Sequence, residues 1–233
     1  MDKEEVLGQI RSRLIVSCQA RVGWPMYGPD IMAAFATAAC AGGASGIRAT
    51  GADNILAIKE KVSLPIIGIN KCFSDEYEVY ITPTYTSAVE ILECGIEIIA
   101  LDATSRKRPN DEKIEDIIKK IRDHYPRVLI MGEIATFEEA KEALKMDIDM
   151  ISTTLSGYTD ESKDIKSVNI ELISKIKSIS DIPIIAEGKI RNEREARHAL
   201  EAGAFSVVVG TAITRPEIIT ERFVEEINKT KIK

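Results

Sequence analysis

Four apolar stretches of the sequence end on a charged side chain: GIR on Arg48, PIIGINK on Lys71, VLIMGE on Glu133 and PIIAE on Glu187. A lone buried carboxylate is costly, so an acid closing such a run is either paired or functional. For Glu187 the structural alternative is a salt bridge to Lys71 or Lys189. For Glu133, and for Asp102 at the end of IIALD, it is a bond to backbone or to neighbouring basic groups. Lys71 has three readings: a solvated charge, a phosphate clamp or a base. To act as a base it must be neutral part of the time, which desolvation and a cation such as Arg48 would favour, whereas the carboxylates would keep it charged.

A second group reads as an anion site. Gly188-Lys189 follows one apolar run, Gly210-Thr211-Ala212 follows the next, and Arg215 lies five residues past Gly210. Glycine lets backbone N–H groups approach a ligand, and an arginine fork suits phosphate oxygens. The alternative is that these glycines only make tight loops.

All of these residues need a scaffold that gathers run ends. Eight short runs rich in Ile, Val and Leu recur along the chain: LIVSC (14–18), GIRA (46–49), PIIGIN (65–70), IIALDAT (98–104), VLIMGEI (128–134), MISTTL (150–155), PIIAEG (183–188) and SVVVG (206–210). They are continuous rather than alternating, as expected of parallel strands buried on both faces. Helical signals lie between them. Pro29-Asp30 precedes IMAAFATAACA; Asp111 precedes EKIEDIIKKIRDHY, which has Ile114, Ile117, Ile118 and Ile121 on one stripe. Thr136 with Glu139, and Asn192 with Glu195, have capping-box spacing, and Gly203 is a C-terminal stop. Two lead-in phrases alternate before the strands, as in AGGASGIRA and EAGAFSVVVG against SLPIIGI and DIPIIAE, so the repeating unit resembles a quarter of a barrel. The pattern predicts an α/β fold, a single-domain (β/α)8 TIM barrel over residues 1–233, with catalytic residues at the C-terminal strand ends and a phosphate site after strands 7 and 8.

On that fold the rim would carry Cys18 and Gln19, Arg48, Asn70 and Lys71, Asp102 and Thr104, Glu133, Thr153 and Thr154, Glu187 and Gly188, and Gly210 and Thr211. The run Arg106-Lys107-Arg108 reads as a solvated loop, with anion attraction or a lid over the mouth as alternatives.

Composition removes other classes. The 233 residues carry 31 Lys and Arg against 37 Asp and Glu, a net charge of −6, which argues against a nucleic-acid partner. No apolar run approaches the length of a membrane span, and MDKEEVLGQIRSR is too charged for a signal peptide, so a cytoplasmic location is expected. Cys18, Cys40, Cys72 and Cys94 contain no Cys-x-x-Cys, and the only histidines, His124 and His198, fall in helices. No metal site is expected.

LIVSCQA, IMAAFATAACAGGASGIRA, LPIIGINK, VYITPT, IIALDAT, ISTTLSGYT, IPIIAEGKI and VVVGTAITRP together resemble the N-acetylmannosamine-6-phosphate 2-epimerases, in order and over essentially the whole chain. The resemblance implies interconversion of N-acetylmannosamine 6-phosphate and N-acetylglucosamine 6-phosphate in sialic-acid and amino-sugar catabolism, without a cofactor. It places the catalytic pair on Lys71 and Glu187. Substrate contacts are expected of Gln19, Arg48, Glu133 and Thr153, and the phosphate grip of Gly188, Lys189, Gly210, Thr211 and Arg215. It also implies a homodimer, and PEIITERFVEEINKTKIK has apolar residues at helical spacing. Three positions depart from the family: Lys189 stands where an arginine is usual, Glu133 where an aspartate is, and Cys72 where a basic residue often follows the lysine. A Schiff-base lyase or aldolase using Lys71, and a non-catalytic sugar-phosphate binder, are the competing readings.

Overall fold

A computed structural model describes residues 1–230. Its eight parallel strands close into one barrel in chain order: β1 Leu14–Cys18, β2 Gly46–Thr50, β3 Ile66–Ile69, β4 Ile98–Asp102, β5 Leu129–Glu133, β6 Met150–Ser152, β7 Ile184–Glu187 and β8 Ser206–Val209. Seven strands fall within their apolar runs, and β2 extends one residue past its run, to Thr50. Their continuity follows from burial on both faces. Ile15, Ile67, Ile98, Leu129, Met150 and Ile185 fill the interior, while Val16, Ile47, Ile66, Ile99, Ile130 and Ile151 face the helices.

The outer helices are α2 Pro29–Ala41, α3 Ala52–Lys59, α4 Tyr85–Leu92, α5 Ile114–His124, α6 Phe137–Ala143, α7 Ile170–Ile179 and α8 Glu193–Glu201. After β8 come α9 Thr211–Thr214 and α10 Pro216–Asn228. A further helix, α1 Lys3–Ile10, precedes the barrel; the charged N-terminus hid it. It buries Val6 and Ile10 against the interior cluster and so belongs to the barrel core. Gly68 lets α4 approach β3, since a Cβ there would lie 2.6 Å from both Ile91 and Ile96.

Local signals held where a cap controls them. Thr136 and Glu139 form the full capping box of α6. Asn192 caps α8 by accepting from the Glu195 amide, but Glu195 reaches back to the Arg191 amide instead of Asn192. The helix after Asp111 starts later than its spacing suggested, at Ile114. Asn110 and Asp111 take φ values of 60° and 50°, a left-handed backbone from which an α-helix cannot start. The four predicted isoleucines are all buried.

Candidate active site

Side chains alternate in and out along a strand, so the inward parity set by the apolar core decides what caps it. On β5, Leu129 and Met131 point inward, and so does Glu133; on β7, Ile185 and then Glu187 do. The apolar interior is thus closed at its C-terminal end by a charged layer.

Arg48 organises that layer. Its side chain is 1% exposed, and Nη2 meets Glu133 Oε1 at 2.5 Å. Nη1 donates to Thr154 Oγ1 at 3.2 Å and to Glu187 Oε2. Burial opposes the guanidinium's charge, but Glu133 and Glu187 outweigh it and raise its pKa. Burial in turn pushes the Glu133 carboxyl up, against the pull of Arg48. Glu133 Oε2 and Arg48 Nε are buried with no partner.

Lys71 lies two residues past the end of β3. A backbone bridge to Ile81 and a bond from its amide to Thr50 Oγ1 (3.2 Å) fix its place. Burial, then the charge of Arg48, lowers its ammonium to about 8, despite the opposing pull of Glu187 and Glu133. Just past the end of β1, Gln19 donates to Ser17 Oγ at 2.8 Å, and its Oε1 is buried without a partner.

These groups open into a cavity of about 670 Å³ that extends to the ends of β7 and β8. Gly188 (φ 101°) and Lys189 (φ 57°) carry the backbone around the end of β7. The Lys189 ammonium sits 4.5 Å from the centre of the Tyr158 ring. It crosses Gly157 so closely that a Cβ there would collide with it and with the Ile165 carbonyl. Thr214 Oγ1 donates to the Ser17 carbonyl at 2.8 Å, tying α9 to β1. Arg215 joins Glu217 at 2.7 Å. Lys189, Arg191, Arg215, Arg222 and Arg21 all line this rim, although the chain as a whole is acidic.

Of the residues expected at the site, Gln19, Arg48, Lys71, Glu187, Gly188, Lys189, Gly210, Thr211 and Arg215 line this one cavity. Two do not. Thr153 is fully buried; its hydroxyl donates to the Glu187 carbonyl at 2.9 Å and accepts from the Glu187 amide. Strand parity turns it away and presents Thr154 instead, a choice that Met150 and Ser152 on the inward face already imply. Glu133 lies beneath Arg48 at 0% exposure and so acts on the arginine and not on the cavity. The run Arg106-Lys107-Arg108 is only partly a solvated loop. Arg106 meets Asp102 Oδ2 at 2.7 Å, and Arg108, 2% exposed, donates to the Thr104 carbonyl at 3.2 Å. Only Lys107 is exposed. Asp102 is the buried anchor of this loop.

Cys18 faces α2, outside the barrel, where burial raises its thiol to about 12. His124 and His198 are exposed on outer helices; His124 Nδ1 bonds the Tyr85 hydroxyl at 2.9 Å. Among the described residues, no cluster of His, Cys, Asp and Glu could hold a metal ion, and no helix is long and apolar enough to cross a membrane. Sequence reasoning missed Ser17, Tyr80, Tyr158, Arg21 and Trp24 as lining residues. Ser17 was readable from parity with Ile15. The others sit on loops, whose paths no periodicity encodes.

A family model described as "Putative N-acetylmannosamine-6-phosphate epimerase" matches residues 32–229. A protein of that description with the suffix 2-epimerase, from Caldanaerobacter subterraneus subsp. tengcongensis, is 46% identical over 227 residues, covering 97% of this chain and 96% of its own. One from Clostridium perfringens strain SM101 is 49% identical over 220 residues, covering 94% and 99%. A solved structure of an N-acetylmannosamine-6-phosphate 2-epimerase from Clostridium perfringens superposes with a TM-score of 0.91 at 47% identity, covering 94% of this chain and 95% of that one.

Proposed function

The chain belongs to the N-acetylmannosamine-6-phosphate epimerase family, and from that premise we propose that it inverts its substrate through Lys71 and Glu187. The reaction interconverts N-acetylmannosamine 6-phosphate and N-acetylglucosamine 6-phosphate, which differ only in the configuration at C2. It is an isomerisation within amino-sugar and sialic-acid breakdown.

In the open-chain sugar C1 is an aldehyde, so the C2–H bond is weakly acidic. Inversion needs a proton removed from one face and another delivered to the opposite face. The observation that carries the assignment is topological. β3 and β7 are four strands apart in an eight-stranded ring, so Lys71 and Glu187 approach the cavity from opposite sides. With Lys71 neutral and Glu187 protonated, Lys71 takes the C2 proton and Glu187 returns one from the other face. The return reaction uses the swapped pair, Lys71 charged and Glu187 ionised. Negative charge builds on O1 as C2 is deprotonated. Arg48 and Gln19 line the cavity there and carry the N–H groups that can donate to substrate oxygens. Glu133 holds Arg48 in position from below. Gly188, Lys189, Gly210, Thr211 and Arg215 hold the 6-phosphate, so that C2 lies between the acid and the base.

N-acetylmannosamine 6-phosphate incubated with the enzyme in D2O and followed by NMR tests this scheme. We expect the N-acetylglucosamine 6-phosphate formed to carry deuterium at C2. Product that keeps its original C2 proton overturns the scheme and points to hydride or redox chemistry.

A homodimer belongs to the same proposal. Helix α10 buries none of its residues and exposes Phe223 (68%), Ile227 (67%) and Val224. Residues 231–233, the end of the apolar-spaced C-terminal stretch, lie outside the described residues. Sedimentation equilibrium should give twice the 25.7 kDa chain mass, and Phe223→Glu should return it towards the single-chain value. A monomeric parent protein refutes the dimer. A cytoplasmic location completes the proposal; the four unpaired cysteines suit a reducing compartment.

A further inference from the structure

The chain has a single tryptophan, Trp24, on the loop between β1 and α2, and no part of the reaction scheme uses it. Two arginines lie within cation–π reach of its ring. Arg215 Cζ lies 3.8 Å from the ring centre and Arg21 Cζ lies 5.5 Å from it. Arg21 also stacks on Phe73, at 4.2 Å, and Phe73 stacks on Tyr80 with centroids 5.1 Å apart. Phe73 and Tyr80 belong to the hairpin-like arm that begins with Lys71. Three separate loops thus meet in one ladder across the cavity mouth: the Lys71 arm, the β1–α2 loop and the segment after β8.

The composition of the ladder bears on its purpose. Two guanidinium groups held on one indole repel each other, and the ring's negative face offsets that only in part. Glu217 neutralises Arg215 through Nε alone. A doubly charged anion gripped by both guanidinium groups would relieve the repulsion and form charge-assisted bonds to each. Arg215 is already assigned to the phosphate, and Arg21 lines the same cavity, close enough to Lys71 to oppose its charge. The indole is rigid and uncharged, so it can fix both cations without competing for the anion.

The geometry points to Trp24 as a positioning residue that holds Arg215 and Arg21 over the substrate's phosphate, making Arg21 a further phosphate ligand. This rests on the phosphate site proposed above. The phosphate should act here as binding energy shared by ground and transition states, which appears in KM and not in kcat.

Trp24→Ala is expected to raise KM for N-acetylmannosamine 6-phosphate roughly three- to thirtyfold, the equivalent of one cation–π contact, with kcat within about twofold of the parent. Ki for inorganic phosphate as a competitive inhibitor should rise by a similar factor. Trp24→Phe, which keeps a ring, should recover most of both, and Arg21→Gln should raise both. As the only tryptophan, Trp24 also reports directly. Inorganic phosphate should change its fluorescence saturably in the parent protein, and Arg215→Ala should abolish that change. The outcomes separate the two claims. Raised KM and Ki in Arg215→Ala, with Trp24→Ala at parent values, overturn the role of Trp24 and leave the phosphate site standing. Parent KM and Ki in Arg215→Ala overturn the phosphate site and this inference with it. If Trp24→Ala lowers Tm and Trp24→Phe does not, the KM comparison is read from Trp24→Phe and Arg21→Gln; parent values of KM and Ki in Arg21→Gln overturn Arg21 as a ligand.

Discussion

Lys71→Ala should keep the barrel and lose about 10²–10⁴ of kcat, the range a positioned general acid–base group supplies. Glu187→Gln should lose a comparable factor, because an amide neither accepts nor donates the C2 proton. The fold should survive the first change for an electrostatic reason. The folded-state pKa of Lys71, about 8, lies below its ordinary 10.5. Below pH 8 both folded and unfolded chains hold the proton, and the fold bears the cost of burying the charge. Between 8 and 10.5 the unfolded chain keeps the proton that the folded chain has lost, so stability rises with pH through that window. At pH 7 alanine removes this burden, and Tm should not fall. The parent enzyme should show a matching kinetic signature. In the proposed scheme Lys71 and Glu187 share one proton in both reaction directions, either as neutral lysine with protonated glutamate or as the ion pair. Loss of that shared proton as Lys71 titrates destroys the active state, so kcat/KM should fall about tenfold per unit above pH 8. It must do so equally in both directions, because the overall equilibrium consumes no proton. A kcat within tenfold of the parent in Lys71→Ala, or an alkaline limb retained in that variant, removes lysine from the proton transfer.

The second large effect is on stability. Arg48→Met is expected to cost about 3–5 kcal/mol, because it leaves Glu133 and Glu187 facing each other with their shared cation gone. For a chain of this size that corresponds to roughly 10 °C in Tm. The loss should shrink at lower pH, since Glu133, already pushed up by burial, can then take a proton and shed its uncompensated charge. Glu133→Gln in the same chain should restore part of the loss for the same reason. Thermal unfolding of the single and double variants at pH 5 and pH 8 reads all three effects. A Tm for Arg48→Met within 2 °C of the parent at pH 8 would mean that the trio contributes little to the fold. Activity should also fall in either background, because in the proposed scheme Arg48 meets the negative charge that builds on the substrate.

The strands were legible because their physics is local. PIIGIN and SVVVG are apolar throughout, since both faces of a barrel strand are buried, and eight such runs leave few other closures. Lys71 and Glu187 were legible for the same reason: a charged residue directly after a buried run has to sit at a strand end. Thr153 went astray although the information was present. Inward parity from Met150 through Ser152 selects Thr154, a one-residue difference that changes a side chain from cavity wall to strand clamp. The run Arg106-Lys107-Arg108 is a different case, because no spacing reveals that two of its three charges turn inward onto Asp102.

By itself, then, the sequence determined the barrel, its order and the residues at each strand end, because hydrophobic periodicity and strand alternation act over a few neighbouring positions. The tertiary structure alone decided which of those ends interact. Arg48, Glu133 and Glu187 come from strands separated by up to 139 positions, and only closure of the ring brings them within hydrogen-bonding distance. Closure also sets the lowered pKa of Lys71, since desolvation depends on everything packed around the group and not on its neighbours in the chain. The meeting of Trp24 with Arg21 and Arg215 arises the same way: loop backbones follow the packing beneath them, and their contacts carry no period that a sequence could display.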